Sequence, residues 1–273
     1  MLDRAVVDAA HGTAWCRAWT ARVDAALRDL LTDSAGVAVV ATGGYARREL
    51  CPASDIDLLL LHNGWGRRDL EGLVQQLCYP LWDAGLTVGY AVRTPAEATA
   101  DAGRDITTAT ALVDRRLVAG DVGLVDGLST RVARWSRRNG RRLVGDLLIA
   151  DRQRHDRAAG RTDIKNAHGG LRDLHSLRWA GAWLLGDATL DALVAAGYVA
   201  APARRDLAAA NETLLRVRCR LHAAHPTKRG AVDVATPADA DEVRPAMAAV
   251  SAAYEAARYR FTLDVQRGRR RRK

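Results

Sequence analysis

The segment 55–62 constrains the fold of this chain more than any other, because its apolar run leaves no polar face. Residues 58–61 are four consecutive leucines. Successive side chains of a strand point to opposite faces, so a strand of this sequence must be buried on both sides. Asp55 and Asp57 stand at its start, and as residues i and i+2 they project from one face. We therefore predict a core strand with two carboxylates at its N-terminal end.

Further strands and helices are predicted around this strand, up to about residue 122. The β-branched run 37–40 is bounded by glycines and is typical of a buried strand, and 87–93 is predicted to be another strand. Apolar spacing predicts helices around 23–31, 45–50, 70–82 and 106–117. The first part of the chain is therefore predicted to be a small α/β unit.

Beyond residue 122 the sequence shows helical spacing and no convincing strand. Two apolar seams step by three and four residues, namely Leu207, Ala210, Leu214, Val217 and Leu221, then Met247, Val250, Tyr254, Ala257 and Phe261. Each seam marks one apolar helix face, and two helices with matching seams most simply pack against each other in a helical bundle. We predict an α+β protein whose small mixed sheet, with its helices, spans 1–125. An all-α domain is predicted over 126–266, and a basic disordered tail over 267–273.

Composition and charge argue for a cytoplasmic protein and do not by themselves indicate a nucleic-acid partner. The net charge is +9, but much of it lies in the basic run 267–273, which is typical of a solvated end. Aromatic residues that could stack bases are not interleaved with the basic ones. No apolar run approaches the length of a membrane span, and no signal peptide is recognised. Four widely spaced cysteines show no metal-ligand spacing and indicate reduced thiols.

Gly43 and Gly44 precede Asp55 by about a dozen residues and predict a phosphate site beside the two acids. Glycines let a backbone approach a phosphate closely, and N–H groups at a following helix start can bind it. Asp55 and Asp57 repel each other unless a cation lies between them, and Mg²⁺ prefers such oxygen ligands together with substrate phosphates. A polar strand end with surface aspartates is the plain alternative. The combination predicts magnesium-assisted attack on the α-phosphate of a nucleoside triphosphate.

Several motifs occur together and in order. Residues 43–50 read Gly-Gly-Tyr-Ala-Arg-Arg-Glu-Leu, and 54–61 read Ser-Asp-Ile-Asp followed by four leucines. Residues 163–174 read Asp-Ile-Lys-Asn-Ala-His-Gly-Gly-Leu-Arg-Asp-Leu. With the segments 81–86 and 92–94, these motifs resemble the bacterial PII uridylyltransferase family, within the DNA polymerase β-like nucleotidyltransferase superfamily.

The resemblance covers roughly residues 10–225 and implies a polymerase β-like fold for the first domain. It implies Mg²⁺-dependent transfer of UMP or AMP, from UTP or ATP, to a tyrosine hydroxyl of the nitrogen-regulatory PII protein. Family members are longer, with HD phosphohydrolase and ACT domains, and this chain ends too early for either. Two alternatives stay open: the same chemistry on another acceptor, or a catalytically degenerate or truncated remnant that binds nucleotide.

Members of the superfamily add a third acid from a neighbouring strand, and the strand 87–93 offers none, with Gly89 at about the expected place. Asp105 and Asp114 are the nearby candidates. They are nine residues apart, which is about half a revolution on one helix, so only one could face the site. Asp105 is typical of a helix N-cap, whereas Asp114 shares a polar face with threonines. Asp114 is therefore the favoured third catalytic carboxylate.

Arg47, Arg93 and Lys165 join Gly43 and Gly44 as predicted nucleotide-binding residues, because guanidinium and ammonium groups match phosphate oxygens. Surface charge is the alternative for the arginines, and helix capping by the nearby glycine pair is the alternative to an anion site around Lys165.

Departures from the family pattern lie at Ala46, where the family has glycine, and at Tyr90 and Ala91, where it has histidine and serine. Alanine at position 46 is compatible with helical backbone angles and not with a positive φ. His155 and Asp156 lack the partners of an HD site and are predicted to lie on a solvated helix face.

Overall fold

The computed structural model describes residues 12–31, 35–225, 233–234 and 236–270. These residues divide into two compact units. The first comprises 12–31, 35–133 and 222–225, and the second comprises 134–221, 233–234 and 236–270. Two of the boundaries between the units fall within long helices, at 133/134 and 221/222, and the third falls between residues 230 and 231, outside the described residues.

A four-stranded mixed sheet lies in the first unit. Its strands are β1 (Val37–Thr42), β2 (Ile56–His62), β3 (Val88–Arg93) and β4 (Arg115–Gly120). They are arranged in the order β3-β2-β1-β4, with β1 antiparallel to both neighbours and β3 parallel to β2. Every residue of β1 is buried, and in β2 only Asp57 is exposed. The predicted core strand is thus confirmed, because both of its faces are covered.

Within the described residues, five whole helices belong to the first unit, together with the start of α6 (Val122–Ala158) and the last residues of α9 (Ala203–Ala224). The five are α1 (Thr13–Leu30), α2 (Gly43–Ala46), α3 (Arg67–Asp83), α4 (Pro95–Ala102) and α5 (Ile106–Val113). The turn predicted at 45–50 begins earlier, at Gly43, and spans only four residues. α4 was not predicted, although Thr94 and Glu97 form a capping box around Pro95 at its start.

The helix predicted over 106–117 ends at Val113, and its last residues form β4 instead. β4 is an edge strand, so it is paired on one side only, and it is mostly half-buried. Its apolar run is short, residues 117–119, and follows two arginines, and Leu117 continues the helical spacing of α5. The strand was missed because its pairing with β1 is a long-range contact that no local pattern records.

The second unit is helical. It contains the remainder of α6, then α7 (Leu171–Leu185), α8 (Leu190–Ala195), most of α9 (Ala203–Ala224) and α10 (Pro237–Arg270). In its described part there is no strand, only an isolated bridge between Asp163 and Asp233. The predicted α+β class is therefore confirmed.

The two apolar seams of the second unit are buried, apart from Met247, which is half-buried. α10 packs on α7, while α9 is joined to α10 by ion pairs of Arg216 and Arg220 with Asp239 and Glu242. α10 continues to Arg270, so residues 267–270, which were predicted to belong to a disordered tail, are helical. Arginine is a good helix former, which favours this extension. Residues 271–273 lie outside the described part of the chain.

None of the helices that the structure describes carries an apolar stretch long enough to cross a bilayer.

Gly169 provides a test of the packing in the second unit. Its φ is +78°, and a Cβ atom there would lie 2.0 Å from the carbonyl oxygen of Met247. Gly160 has nearly the same φ, +77°, with no atom within 4 Å of such a Cβ. Gly160→Ala should therefore cost about 1–2 kcal/mol of stability, from backbone strain alone. Gly169→Ala should cost a further ~1–3 kcal/mol from overpacking, measured by urea unfolding. Equal losses in the two variants would contradict the close approach of α10.

Candidate active site

Asp57 is the one exposed residue of β2, and glycines flank its carboxylate on two sides. A Cβ atom at Gly43 would lie 3.4 Å from Asp57 Oδ2, and a Cβ atom at Gly89 would lie 3.4 Å from Asp57 Oδ1. Gly89 is also the residue of β3 that stands opposite Asp57 in the sheet register. A side chain at either position would contact a carboxylate oxygen. The two glycines therefore keep both oxygens of Asp57 clear of neighbouring side chains from these positions.

Asp55 lies two residues before Asp57 and is likewise exposed, while Ile56 between them is buried. The Ile56 N–H donates to the Thr87 carbonyl oxygen at 2.8 Å, which holds this segment against the residue before β3. Alternation along an extended chain directs the side chains of Asp55 and Asp57 to the same side of the sheet. Two carboxylates thus stand at the mouth of a strand that is otherwise buried.

Gly43 and Gly44 are the first two residues of α2. Gly43 has a φ of +55°, and its N–H donates to the Asp114 carbonyl oxygen at 3.0 Å. This N–H is therefore used within the protein, whereas the sequence suggested that it would face a phosphate. Ala46 closes α2 with helical geometry, and Arg48 is the non-glycine residue with positive φ in the described chain. Alanine in place of the family's glycine at position 46 thus introduces no backbone strain.

Arg47 and Asp114 form an ion pair with each other. Arg47 Nε donates to Glu49 Oε2 at 2.7 Å, and Arg47 Nη1 donates to Asp114 Oδ2. The side chains of Arg47, Glu49 and Asp114 are 9%, 8% and 5% exposed. Burial acts to lower the pKa of Arg47, but the two carboxylates outweigh it and raise this pKa above its ordinary value. The guanidinium therefore stays charged inside the protein and links α2 to the start of β4.

Asp105 and Asp114 lie at opposite ends of α5. The Asp105 carboxylate accepts from the N–H groups of Thr107 and Thr108, at 3.2 and 2.7 Å, which confirms its expected role as an N-cap. Asp114 follows the helix as its C-cap residue and is buried. The sequence interpretation of Asp114 assumed that one helix runs from residue 106 to residue 117. The helix ends at Val113, so Asp114 lies in the turn between α5 and β4 and not on a helix face.

A second buried network beneath α2 was not predicted. Tyr45 Oη donates to Asp24 Oδ1 at 2.7 Å, and Arg116 contacts both oxygens of Asp24, at 2.8 and 3.0 Å. The Arg116 guanidinium also lies 5.4 Å from the centre of the Tyr45 ring. Burial and then the charge of Asp24 raise the pKa of Tyr45, so the hydroxyl remains a donor. The partners are 21 and 92 residues apart, and no local pattern could have revealed them.

Arg93 and Tyr90 lie on opposite faces of β3 by strand alternation. Arg93 donates to Asp101 Oδ2 at 2.7 Å and remains 42% exposed. By the same alternation it shares the face of Gly89. Tyr90 contacts Trp82 of α3, with ring centres 6.2 Å apart. Tyr90 therefore does not line the side of the sheet on which Asp57 lies, and the substitution of the family's histidine falls on the face covered by α3.

Lys165 and His155 belong to the second unit. The Lys165 N–H donates to Asp163 Oδ1 at 2.9 Å, within the turn that leads to α7. The prediction of a solvated face at His155 is wrong, because His155 Nε2 lies 2.8 Å from Oδ1 of the fully buried Asp173. Burial acts to raise the pKa of Asp173, but His155 and then Arg154 outweigh it and lower this pKa. His155 and Asp173 are 18 residues apart and belong to different helices, so the pattern along one helix could not predict that they are bonded.

Comparison with known proteins matches two family models. The model described as nucleotidyltransferase domain matches residues 23–107, which include Gly43, Asp55, Asp57 and Gly89. The model described as GlnD PII-uridylyltransferase matches residues 143–268. The two matches together cover residues from both units, in the order that the sequence motifs predicted.

Several curated relatives are named bifunctional uridylyltransferase/uridylyl-removing enzyme. The one from Streptomyces coelicolor is 41% identical over 194 residues, which cover 69% of this chain and 22% of that protein. Those from Bordetella avium and Haemophilus influenzae are 38% and 35% identical, covering 73% and 70% of this chain and 24% and 23% of those proteins. The chain thus spans between 22% and 24% of the length of these relatives. Over the residues compared, the chain belongs to the PII-uridylyltransferase family and carries its nucleotidyltransferase domain.

Proposed function

We propose that this protein transfers UMP from UTP, or AMP from ATP, to a tyrosine hydroxyl of a PII signalling protein in a Mg²⁺-dependent reaction. The observation that carries the proposal is the exposed pair Asp55 and Asp57 at the mouth of an otherwise buried strand, with Gly43 and Gly89 beside Asp57. This arrangement places carboxylate oxygens next to backbone that carries no side chain, at Gly43 and Gly89. Both are needed where a metal-bound triphosphate must lie close to the protein.

The residues present fit a magnesium site. Asp55 and Asp57 supply carboxylate oxygens, which are the ligands that Mg²⁺ prefers, and a Cβ atom at Gly43 or Gly89 would take up space beside the Asp57 carboxylate. When bound, Mg²⁺ would supply charge neutralisation on the phosphates and a lower pKa for the attacking hydroxyl. Asp55 and Asp57 are therefore proposed as the metal-binding and catalytic residues.

Other residues of the chain hold this site in shape. Arg47, predicted to bind nucleotide, and Asp114, predicted as the third catalytic acid, are ion-paired and buried together. Asp114 also accepts the Gly43 N–H through its backbone. We infer that Arg47 and Asp114 are positioning residues that set the glycine turn at the end of β1. With Asp114 in this role, Asp55 and Asp57 are the acids assigned to the metal.

Contacts with the triphosphate are proposed for the turn at Gly43 and Gly44 and for Arg93. Arg93 shares its strand face with Gly89 and is held by Asp101 while remaining partly exposed. A guanidinium in this position can bind phosphate oxygens in pairs. Lys165 stays a prediction from the sequence motif, as a residue of the second unit.

The donor and the acceptor are inferred from the relatives. Their name specifies uridylyl transfer, and one matched family description specifies the PII protein as its target. UTP is therefore the first donor to test, with ATP as the second. A tyrosine hydroxyl suits the acceptor because its oxygen becomes a strong nucleophile once its proton is removed.

The proposal is tested by incubating the protein with purified PII from the same organism, Mg²⁺ and α-labelled UTP or ATP. We expect one labelled nucleotide on PII, detected by intact mass spectrometry, and no labelling when EDTA is present during the reaction. PII whose acceptor tyrosine is changed to phenylalanine is the matched control and should remain unlabelled. Label on another protein or on a small molecule would show that the acceptor is not PII. Nucleotide binding with no transfer to PII or to any other acceptor would contradict the proposed activity.

A further inference from the structure

Four arginines of α6 line one cavity in the second unit. Between Asp126 and Asp146 the chain holds six arginines and no acidic residue. The four that line the cavity are all exposed: Arg137, Arg138, Arg141 and Arg142. They form two like-charged pairs at i, i+4, a spacing at which equal charges repel and destabilise a helix. The concentration of positive charge at this place is thus unfavourable for the helix unless an anion offsets it.

The cavity has a packed floor and the size of a small-molecule site. Gly140 lies between the arginines, and a Cβ atom there would lie 2.1 Å from the Trp183 carbonyl oxygen, so α6 rests directly on α7. Trp183 is buried, and Leu184 and Val265 add apolar surface to the lining. The volume is 610 Å³. Pockets of about 300–1,000 Å³ are typical for small molecules.

The acidic residues of the lining are already compensated. Asp146 pairs with Arg142 at 2.8 Å. Asp264 accepts a hydrogen bond from Tyr198 at 2.5 Å and lies 3.9 Å from Arg267. Burial and then the hydrogen bond to Asp264 raise the pKa of Tyr198 to about 12, so this hydroxyl stays protonated.

Three cavity arginines remain without a carboxylate. Within the residues that the structure describes, no ion pair is formed by Arg137, Arg138 or Arg141. Three arginines of the cavity lining are therefore not compensated by a carboxylate within the described residues.

We propose that this cavity binds a small molecule that carries two phosphate groups. Guanidinium groups bind phosphate oxygens in bidentate fashion. One phosphate ester carries about −1.5 to −2 at neutral pH, so two phosphates match the three uncompensated charges. The apolar surface of Leu184 and Val265 suits an organic part of the ligand. The proposal concerns the second unit alone and does not depend on the activity proposed for the first.

Isothermal titration calorimetry with ADP in EDTA tests the proposal, using the full chain with Asp55→Asn and Asp57→Asn to weaken nucleotide binding in the first unit. We expect one ADP to bind to this protein, with affinity that falls as salt is raised. Adding Arg138→Gln and Arg141→Gln should weaken binding at least tenfold. The matched control adds Arg152→Gln and Arg157→Gln, the same charge change at exposed positions of α6 outside the cavity lining, and should leave the affinity within twofold.

Two further probes identify the chemistry. Inorganic pyrophosphate should bind at the same site, and citrate, an anion of similar charge without phosphate, should bind at least tenfold more weakly. Equal affinities in the cavity variant and the control variant would overturn the proposal. So would the absence of ADP and pyrophosphate binding, tighter binding of citrate, or arginine-dependent binding of a single-stranded oligonucleotide alone.

Discussion

Asp57→Asn is expected to lower nucleotidyl transfer by at least about 10³-fold, which corresponds to ~4 kcal/mol of transition-state stabilisation. The carboxylate lies between Gly43 and Gly89 and is the exposed group of an otherwise buried strand. Asparagine keeps the shape of the side chain but supplies one neutral oxygen where the metal requires charge. The measurement is the initial rate of label transfer to PII at saturating Mg²⁺.

A readout that does not require turnover accompanies this rate. Mg²⁺ with a non-hydrolysable triphosphate should raise the melting temperature of the wild-type protein and leave that of Asp57→Asn nearly unchanged. Without Mg²⁺ the variant should remain folded, measured by circular dichroism, because residue 57 is exposed and asparagine keeps the shape of the side chain. Asp83→Asn, an exposed aspartate of α3, is the matched control and should change neither readout. Full activity in Asp57→Asn would exclude Asp57 as a metal-binding or catalytic residue.

Arg47→Ala is expected to lower the free energy of unfolding by about 3–5 kcal/mol, because it leaves the carboxylates of Glu49 and Asp114 buried without their shared cation. The measurement is urea unfolding followed by circular dichroism. Transfer activity should fall as well in the folded fraction, because the turn at Gly43 is held through Asp114.

The exposed pair of Arg67 and Glu71 in the same unit supplies the control. Their side chains are 92% and 58% exposed, so solvent screens the pair and Arg67→Ala should leave the free energy of unfolding nearly unchanged. Combining Arg47→Met with Glu49→Gln and Asp114→Asn should recover part of the loss, because it removes the two buried negative charges that Arg47 had neutralised. If Arg47→Ala were as mild as Arg67→Ala, or if the combined variant were less stable than Arg47→Ala, the buried ion-pair network would not have the assigned role.

The elements that local patterns predicted well are those with a strong hydrophobic signature. The core strand, the strand near residue 37 and α3 each carry an apolar run or an amphipathic face, and each forms close to the predicted bounds. The N-cap at Asp105 was also predictable, because it uses hydrogen bonds within three residues. Local hydrogen bonds and burial patterns are the interactions that a sequence window records.

The elements that were missed depend on distant partners. β4 becomes a strand by pairing with β1, some eighty residues earlier in the chain. Arg47 was predicted to bind nucleotide and Asp114 to be the third catalytic acid, and no pattern in the sequence indicated the ion pair that joins them across 67 residues. His155 was placed in solvent and is bonded to Asp173. In each case the strand or the charged side chain finds its partner only when the chain is folded.

The sequence by itself determined that a strand buried on both faces carries Asp55 and Asp57 at its mouth, since strand alternation requires no further information. The tertiary structure alone decided what surrounds Asp57. It placed Gly89 opposite this residue and paired Asp114 with Arg47; in the second unit it packed α6 on α7 at Trp183. The reason is physical. Side-chain alternation and the apolar pattern of a strand are set by residues that are neighbours in the chain, whereas charge pairing and close backbone approach join residues that only folding brings together.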